Sequence, residues 1–239
     1  MDDVFIVDAG NTAIKLAHFV DDKLVTTHIC EKIDAIKQII SPSKKIALSS
    51  VKSDAFNKEF MEFFPETFLL STKMNLPFAL DYETPETLGI DRLCNVAALA
   101  KLFPKKNALS IDIGTCIKFD LINQEMHYLG GSISPGLRLR FNALHQFTAK
   151  LPLLDASEKF DLIGKNTTDA IRSGVQFGMF SEIKAMIERY ESSFKDLTII
   201  VTGGDKHYFD FGQKNNIFAD ENLTLRGIYE LYKFNAIHT

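Results

Sequence analysis

Two short stretches repeat the same residue types in the same order. Residues 5–19 read FIVDAGNTAIKLAHF and residues 108–122 read ALSIDIGTCIKFDLI. In each, an apolar run ends in an aspartate (Asp8, Asp112), a glycine follows two positions later (Gly10, Gly114), and a threonine (Thr12, Thr115) precedes an Ile-Lys pair. Glycine at a strand end permits a tight turn and lets a ligand approach the main chain. The N–H groups of such a turn and the threonine hydroxyl can hydrogen-bond phosphate oxygens. An aspartate beside them can hold a cation, directly or through water, that offsets phosphate charge. A hairpin centred on residue 115 sets Asp112 opposite Lys118, and one centred on 11–12 sets Asp8 opposite Lys15, so each turn places a carboxylate and an ammonium on one face. The alternative is a structural hairpin with a surface ion pair; the repetition favours phosphate binding.

Four more segments carry polar groups or glycines at element ends. In DYETPETLGIDRLCNVAALAKLF, residues 81–103, Thr84 is a good N-cap and Pro85 suits the first helical position. A helix from there puts Asp91-Arg92 within two turns of its start. A carboxylate at that place is favoured by the helix dipole and suits a base that takes a hydroxyl proton. Arg92 can hold a carboxylate or a transferring phosphoryl group; the competing reading is an exposed Asp-Arg pair. In GGSISPGLRLRF, Ser134 is read as N-cap with Pro135 at the first helical position, and the Gly130-Gly131 and Pro135-Gly136 pairs mark backbone that something approaches closely. Asn166 or Thr167 caps a long helix in NTTDAIRSGVQFG; Gly174 and Gly178, four apart, leave a groove for another helix, within the chain or in a second subunit. VTGGDK, 201–206, is a strand ending on a Gly pair, weak by itself. Neither a P-loop nor a dinucleotide-binding fingerprint occurs.

The elements that must position these residues also repeat. Residues 4–8, 13–20 and the run after Asp21-Asp22-Lys23 read as three strands, followed by a helix at 31–40, a strand at 44–51, a helix at 54–64 and a strand at 67–71. The second half starts again with three strands across 108–134, then helices near 136–148 and 167–194, a strand in LTIIVTGG and a helix near 223–235. Two α/β lobes of duplicated plan follow, 1–106 and 107–239. The chain has 239 residues, 46% apolar and 24% charged, enough for a substantial core. Its net charge of -4 and lack of a basic tract exclude a nucleic-acid-binding surface. No apolar run is long enough to span a membrane. MDDVFIVDAG lacks the marks of a signal peptide, and three scattered cysteines lack metal-ligand spacing, so a reduced cytoplasmic protein is expected.

Taken in order, DAGNTAIK, GIDR, DIGT, GGSISPG with FTAKLP, NTTDAIRSG and VTGGD closely resemble type III pantothenate kinase, over nearly the whole chain. That family lies in the sugar-kinase, actin and chaperone-ATPase superfamily. The resemblance implies two ribonuclease H-like domains around a nucleotide cleft and ATP-dependent phosphorylation of pantothenate to 4'-phosphopantothenate, the first step of coenzyme A biosynthesis. It assigns Asp8, Ala9, Gly10, Asn11, Thr12, Ala13, Ile14 and Lys15 to a phosphate-binding segment for ATP, and Thr115 to an ATP contact. Asp91 matches the family's proton acceptor, within a substrate-binding Gly89, Ile90, Asp91 and Arg92. Tyr82 and Thr167 match substrate contacts, and Asp112 a ligand of a monovalent cation (potassium or ammonium). Divalent metal (Mg2+) accompanies ATP, and the family is homodimeric. Two other readings remain: a regulatory transcription accessory homologue, and a sugar or small-alcohol kinase of the superfamily. The intact Asp91-Arg92 and both Asp-x-Gly turns oppose the first; the spacing from Tyr82 to GIDR opposes the second.

One residue departs from the family pattern. Where Asp-x-Gly-Thr-Ala-x-Thr is usual, this chain has Asp112-Ile-Gly-Thr115-Cys116-Ile-Lys118. Either the Lys118 ammonium replaces the monovalent cation in part or whole, or Lys118 points to solvent and Asp112 still holds potassium.

Overall fold

A computed structural model describes residues 3–209 and 215–237. The chain opens with β1 (Asp3–Ala9), β2 (Ile14–Val20) and β3 (Lys23–Cys30), an antiparallel meander whose second turn uses Asp21 and Asp22 at φ 47° and 67°. A short α1 (Ile33–Lys37), β4 (Lys45–Ser50), α2 (Asp54–Phe63) and β5 (Thr67–Leu69) follow. The first sheet has the order β3-β2-β1-β4-β5, with β4 and β5 joined in parallel. After β6 (Ala79–Leu80) and α3 (Ile90–Leu102), the plan recurs in β7 (Ala108–Ile113), β8 (Cys116–Ile122) and β9 (His127–Pro135). Then come α4 (Leu137–Gln146), α5 (Thr167–Ser193), β10 (Thr198–Thr202), β11 (Ile217–Ala219) and α6 (Leu223–Ile237). The second sheet orders β11-β10-β7-β8-β9, strand for strand the arrangement of the first, with β6 added beyond β9. The duplicated α/β plan expected from sequence is therefore the observed one.

The chain clusters into two compact units. One comprises Met1–Lys105, Glu125–Leu129 and Asn222–Thr239, the other Lys106–Gln124 and Gly130–Glu221. In the first, alternating residues of β1, β2 and β4 meet α1 and α2 around Leu16, Ile36, Ile46, Leu48, Phe60 and Phe64. On α6, Tyr229 stacks on Phe19 of β2 with centroids 4.3 Å apart. The helices that end the two repeats, α3 and α6, pack together in this unit, where the Thr224 hydroxyl donates to Asn95 Oδ1 at 2.8 Å. In the second unit, α4 and α5 cover β7, β8 and β10 around Ile111, Phe119, Phe141, Met179 and Ile199. Among the described residues, no helix is long and apolar enough to cross a membrane.

Three boundaries differ from the sequence reading. The helix expected at 31–40 is only Ile33–Lys37. The helix expected from Thr84 breaks in two: a 3-10 turn at Pro85–Thr87, then extended Leu88 and Gly89 before α3. Thr84 makes no capping bond, and its Oγ1 accepts instead from Thr87 Oγ1 at 2.9 Å. Ser134 and Pro135 end β9 rather than start α4, because sheet pairing carries that strand onward; Gly136 is the N-cap.

Candidate active site

The break at Leu88-Gly89 decides where Asp91 stands. It occupies the first turn of a new helix, and its Oδ1 accepts the backbone N–H of Arg92 at 2.9 Å. A Cβ on Gly89 would lie 2.6 Å from that same Oδ1, so the carboxylate packs against bare backbone. The adjacent Arg92 is only 5% exposed. Its guanidinium lies 5.7 Å from the Tyr82 ring centre and 5.9 Å from that of Tyr128, and Nη1 donates to the Tyr82 hydroxyl at 3.4 Å. The two tyrosines stack with centroids 6.0 Å apart. Cation–π contact of this kind strengthens when desolvated and fixes the plane of the guanidinium. Tyr82, Gly89, Ile90, Asp91 and Arg92 thus form one cluster, and the exposed Asp-Arg pair of the competing reading is not what is found. Tyr128 was missed; it comes from the 125–129 segment, and only the parallel pairing of Leu80 with Tyr128 brings it here.

The first hairpin has the predicted register, with Asp8 opposite Lys15 and Ala9 opposite Ile14. Gly10 donates its N–H to the Ala13 carbonyl at 3.1 Å, leaving Asn11 and Thr12 exposed at the tip. Lys52 adds a cation that sequence reading did not mark: its Nζ donates to the Asn11 carbonyl at 3.3 Å. It follows β4, which lies parallel to β1 with Ser49 beside Asp8.

The second hairpin also keeps its register, Asp112 opposite Lys118, and Gly114 donates its N–H to the Cys116 carbonyl at 3.1 Å. Lys118 does not point to solvent. Its Nζ lies 2.7 Å from Asp112 Oδ2, and the two side chains are 17% and 15% exposed. The VTGGDK segment joins this turn, since β10 runs parallel to β7 with Thr202 beside Asp112. Gly203 adopts φ 95°, and a Cβ there would lie 2.2 Å from the Ile113 carbonyl oxygen. The following turn carries Asp205, whose carboxyl is pushed up from its ordinary range by burial, pulled back by His207 and pushed up again by the negative charge of Asp112. Thr115 accepts the N–H of Gly136 on its carbonyl at 3.0 Å, so the α4 N-terminus sits on the turn. Arg140 and Ser134 both bond Glu182 of α5, and Arg140 Nε donates to the Pro135 carbonyl at 2.8 Å, which braces that helix start.

Thr167 is the exposed first residue of α5, and Asn166 is the cap, accepting the Asp169 N–H on Oδ1 at 2.9 Å. Gly174 and Gly178 are exposed, and a Cβ on either would meet nothing within 4 Å. Among the described residues, nothing fills the space beside them. Among the described residues no group of three or more His, Cys, Asp or Glu could hold a metal ion.

The chain matches the family model for type III pantothenate kinase over residues 4–189. It is 41% identical to a type III pantothenate kinase of Christiangramia forsetii, over 96% of this chain and 98% of that protein. Among solved structures, it resembles a Baf family transcriptional activator from Campylobacter jejuni at a TM-score of 0.64 and 22% identity, covering 98% of this chain and 99% of that one. It also resembles an inorganic polyphosphate/ATP-glucomannokinase from Arthrobacter at a TM-score of 0.50 and 12% identity, covering 100% of both chains. At these identities the two structures speak for the fold alone. The family match and the full-length relative carry more: this chain belongs to the type III pantothenate kinases.

Proposed function

We propose that the protein transfers the γ-phosphoryl group of ATP to pantothenate, giving 4'-phosphopantothenate and ADP at the first step of coenzyme A biosynthesis. The observation that carries this reading is the cluster on α3: a carboxylate bonded to its own helix start, next to an arginine packed against two stacked tyrosines, in a chain of this family. As the primary hydroxyl oxygen of pantothenate bonds to the γ-phosphorus, the bond from that phosphorus to the β,γ-bridging oxygen breaks, and Asp91 takes the hydroxyl proton. Phosphoryl transfer needs mainly positioning and charge neutralisation, with the proton leaving late. Arg92 and Tyr82, with Gly89 and Ile90, orient the acceptor, and Thr167 contributes a further hydroxyl. The Asp8–Lys15 hairpin and Thr115 bind ATP phosphates, whose divalent ion offsets their charge.

A coupled assay for ADP release, run with pantothenate and with a panel of hexoses, tests this. Turnover is expected with pantothenate only. No pantothenate-dependent release would sink the reading, and turnover on a hexose would move the chain to the sugar kinases.

We further infer that the duplicated units run 1–106 and 107–239, and that the protein works in the cytoplasm as a homodimer. The exposed stripe of Gly174, Gly178, Ser181 and Ala185 on α5 supports the dimer, because small residues at this spacing let a second helix approach closely. Sedimentation should give the mass of two chains for the native protein and of one chain for Gly178→Arg. A native monomer would end the dimer proposal.

A further inference from the structure

The resemblance places a dissociable monovalent cation at Asp112, and the residues present do not fit one. A cation held by Asp112 is drawn by its negative charge, and here that charge is already offset by the Lys118 ammonium, 2.7 Å from Oδ2. Both side chains are largely withdrawn from water, so the pair is screened little and a second cation beside it would be repelled. The ammonium cannot diffuse away, because β8 carries it in register with Asp112.

The surroundings show what that charge can serve. Two residues beyond Asp112 the chain turns through Gly114 and Thr115, and the N-terminal end of α4 rests on that turn through the Gly136 N–H. Beside Asp112 runs the strand that ends in Gly203-Gly204-Asp205. Asp205 adds a second carboxyl in the turn that follows. One surface thus gathers a turn, a helix N-terminus and a built-in ammonium, the combination that binds anionic phosphate oxygens.

We propose that Lys118 is a nucleotide-binding residue whose ammonium takes the place of a free monovalent cation at Asp112, so that this kinase binds ATP and turns over without potassium or ammonium ions. The proposal rests on the kinase reading above, and Lys118 acts on the nucleotide rather than on the acceptor. A lone ion pair between neighbouring strands would have no such consequence.

The test measures calorimetric binding of a non-hydrolysable ATP analogue with Mg2+, in a buffer whose only monovalent cation is tetramethylammonium. Native protein should bind equally well with and without added potassium. Lys118→Met should bind roughly ten- to a hundredfold more weakly, the loss of one charge-assisted contact. Potassium or ammonium should restore part of that affinity by filling the gap beside Asp112. Lys118→Arg should stay close to native and serves if Lys118→Met does not fold. Native binding that needs potassium, or a folded Lys118→Met that binds like native, overturns the proposal. ADP release with pantothenate, assayed in the same buffers, separates it from the kinase reading. Potassium-independent nucleotide binding without pantothenate turnover leaves Lys118 standing and removes the acceptor. Pantothenate turnover that requires potassium does the reverse.

Discussion

Asp91→Asn should lower kcat for pantothenate phosphorylation by about a hundredfold to ten-thousandfold, the usual contribution of a positioned acid or base. Nucleotide affinity should be nearly unchanged. The substitution is close to isosteric, and an asparagine Oδ1 can still accept the Arg92 N–H that Asp91 accepts at 2.9 Å. It also fills the same space against Gly89, where no Cβ competes. What is lost is the negative charge and the capacity to take a proton. Because proton transfer in phosphoryl chemistry comes late, the lower part of that range is the more natural expectation. Steady-state kinetics with a parallel nucleotide titration distinguish the outcomes. A kcat within about tenfold of native would remove Asp91 as the proton acceptor, since even modest general-base roles exceed that.

That Asp91 could be singled out from sequence, while its surroundings could not, has a physical reason. Hairpin register follows from alternation and turn length, both local, so Asp8 opposite Lys15 and Asp112 opposite Lys118 could be read from the residues alone. The repeated succession of strands and helices followed from the same local signals, whereas the parallel placement of β4 beside β1 and of β10 beside β7 did not. Helix starts were less legible. Thr84-Pro85 and Ser134-Pro135 both carry good start signals, yet the chain starts its helices later, at Ile90 and Leu137. In the second case the pairing of β9 overrides the local preference, as tertiary contacts often do. Tyr128 beside Arg92, Lys52 at the first turn and Glu182 beneath α4 come from segments distant in sequence. Their roles depend on packing that no local pattern encodes. The side chain of Lys118 was ambiguous for a related reason: register put it opposite Asp112, but only its burial shows that it turns inward.

Gly136→Ala should damage both stability and nucleotide binding, and the cause is space alone. Gly136 sits at φ -77° and ψ -178°, a conformation open to any residue. Its added Cβ, however, would stand 2.0 Å from the Gly114 carbonyl oxygen and 2.7 Å from that of Thr115. Neither neighbour is a side chain that can rotate away, so one stretch of backbone must move. The helix start is the more firmly held of the two: Leu137 and Phe141 are buried in the core, and Arg140 ties α4 to Glu182 and to the Pro135 carbonyl. The turn should yield instead, breaking the bond from the Gly136 N–H to Thr115 and shifting the N–H groups and hydroxyl proposed to meet phosphate. Overpacking of this kind costs about 1–3 kcal/mol. For a chain of this size each kcal/mol lowers the melting temperature by roughly 2–4 °C. Nucleotide affinity should fall by about tenfold or more, equivalent to losing one well-placed contact. Calorimetric melting and nucleotide titration of the same preparation read both effects. A variant that melts lower but binds ATP like native would show that α4 moved and the turn did not, and the phosphate-binding role would then have to rest on residues away from Gly114 and Thr115.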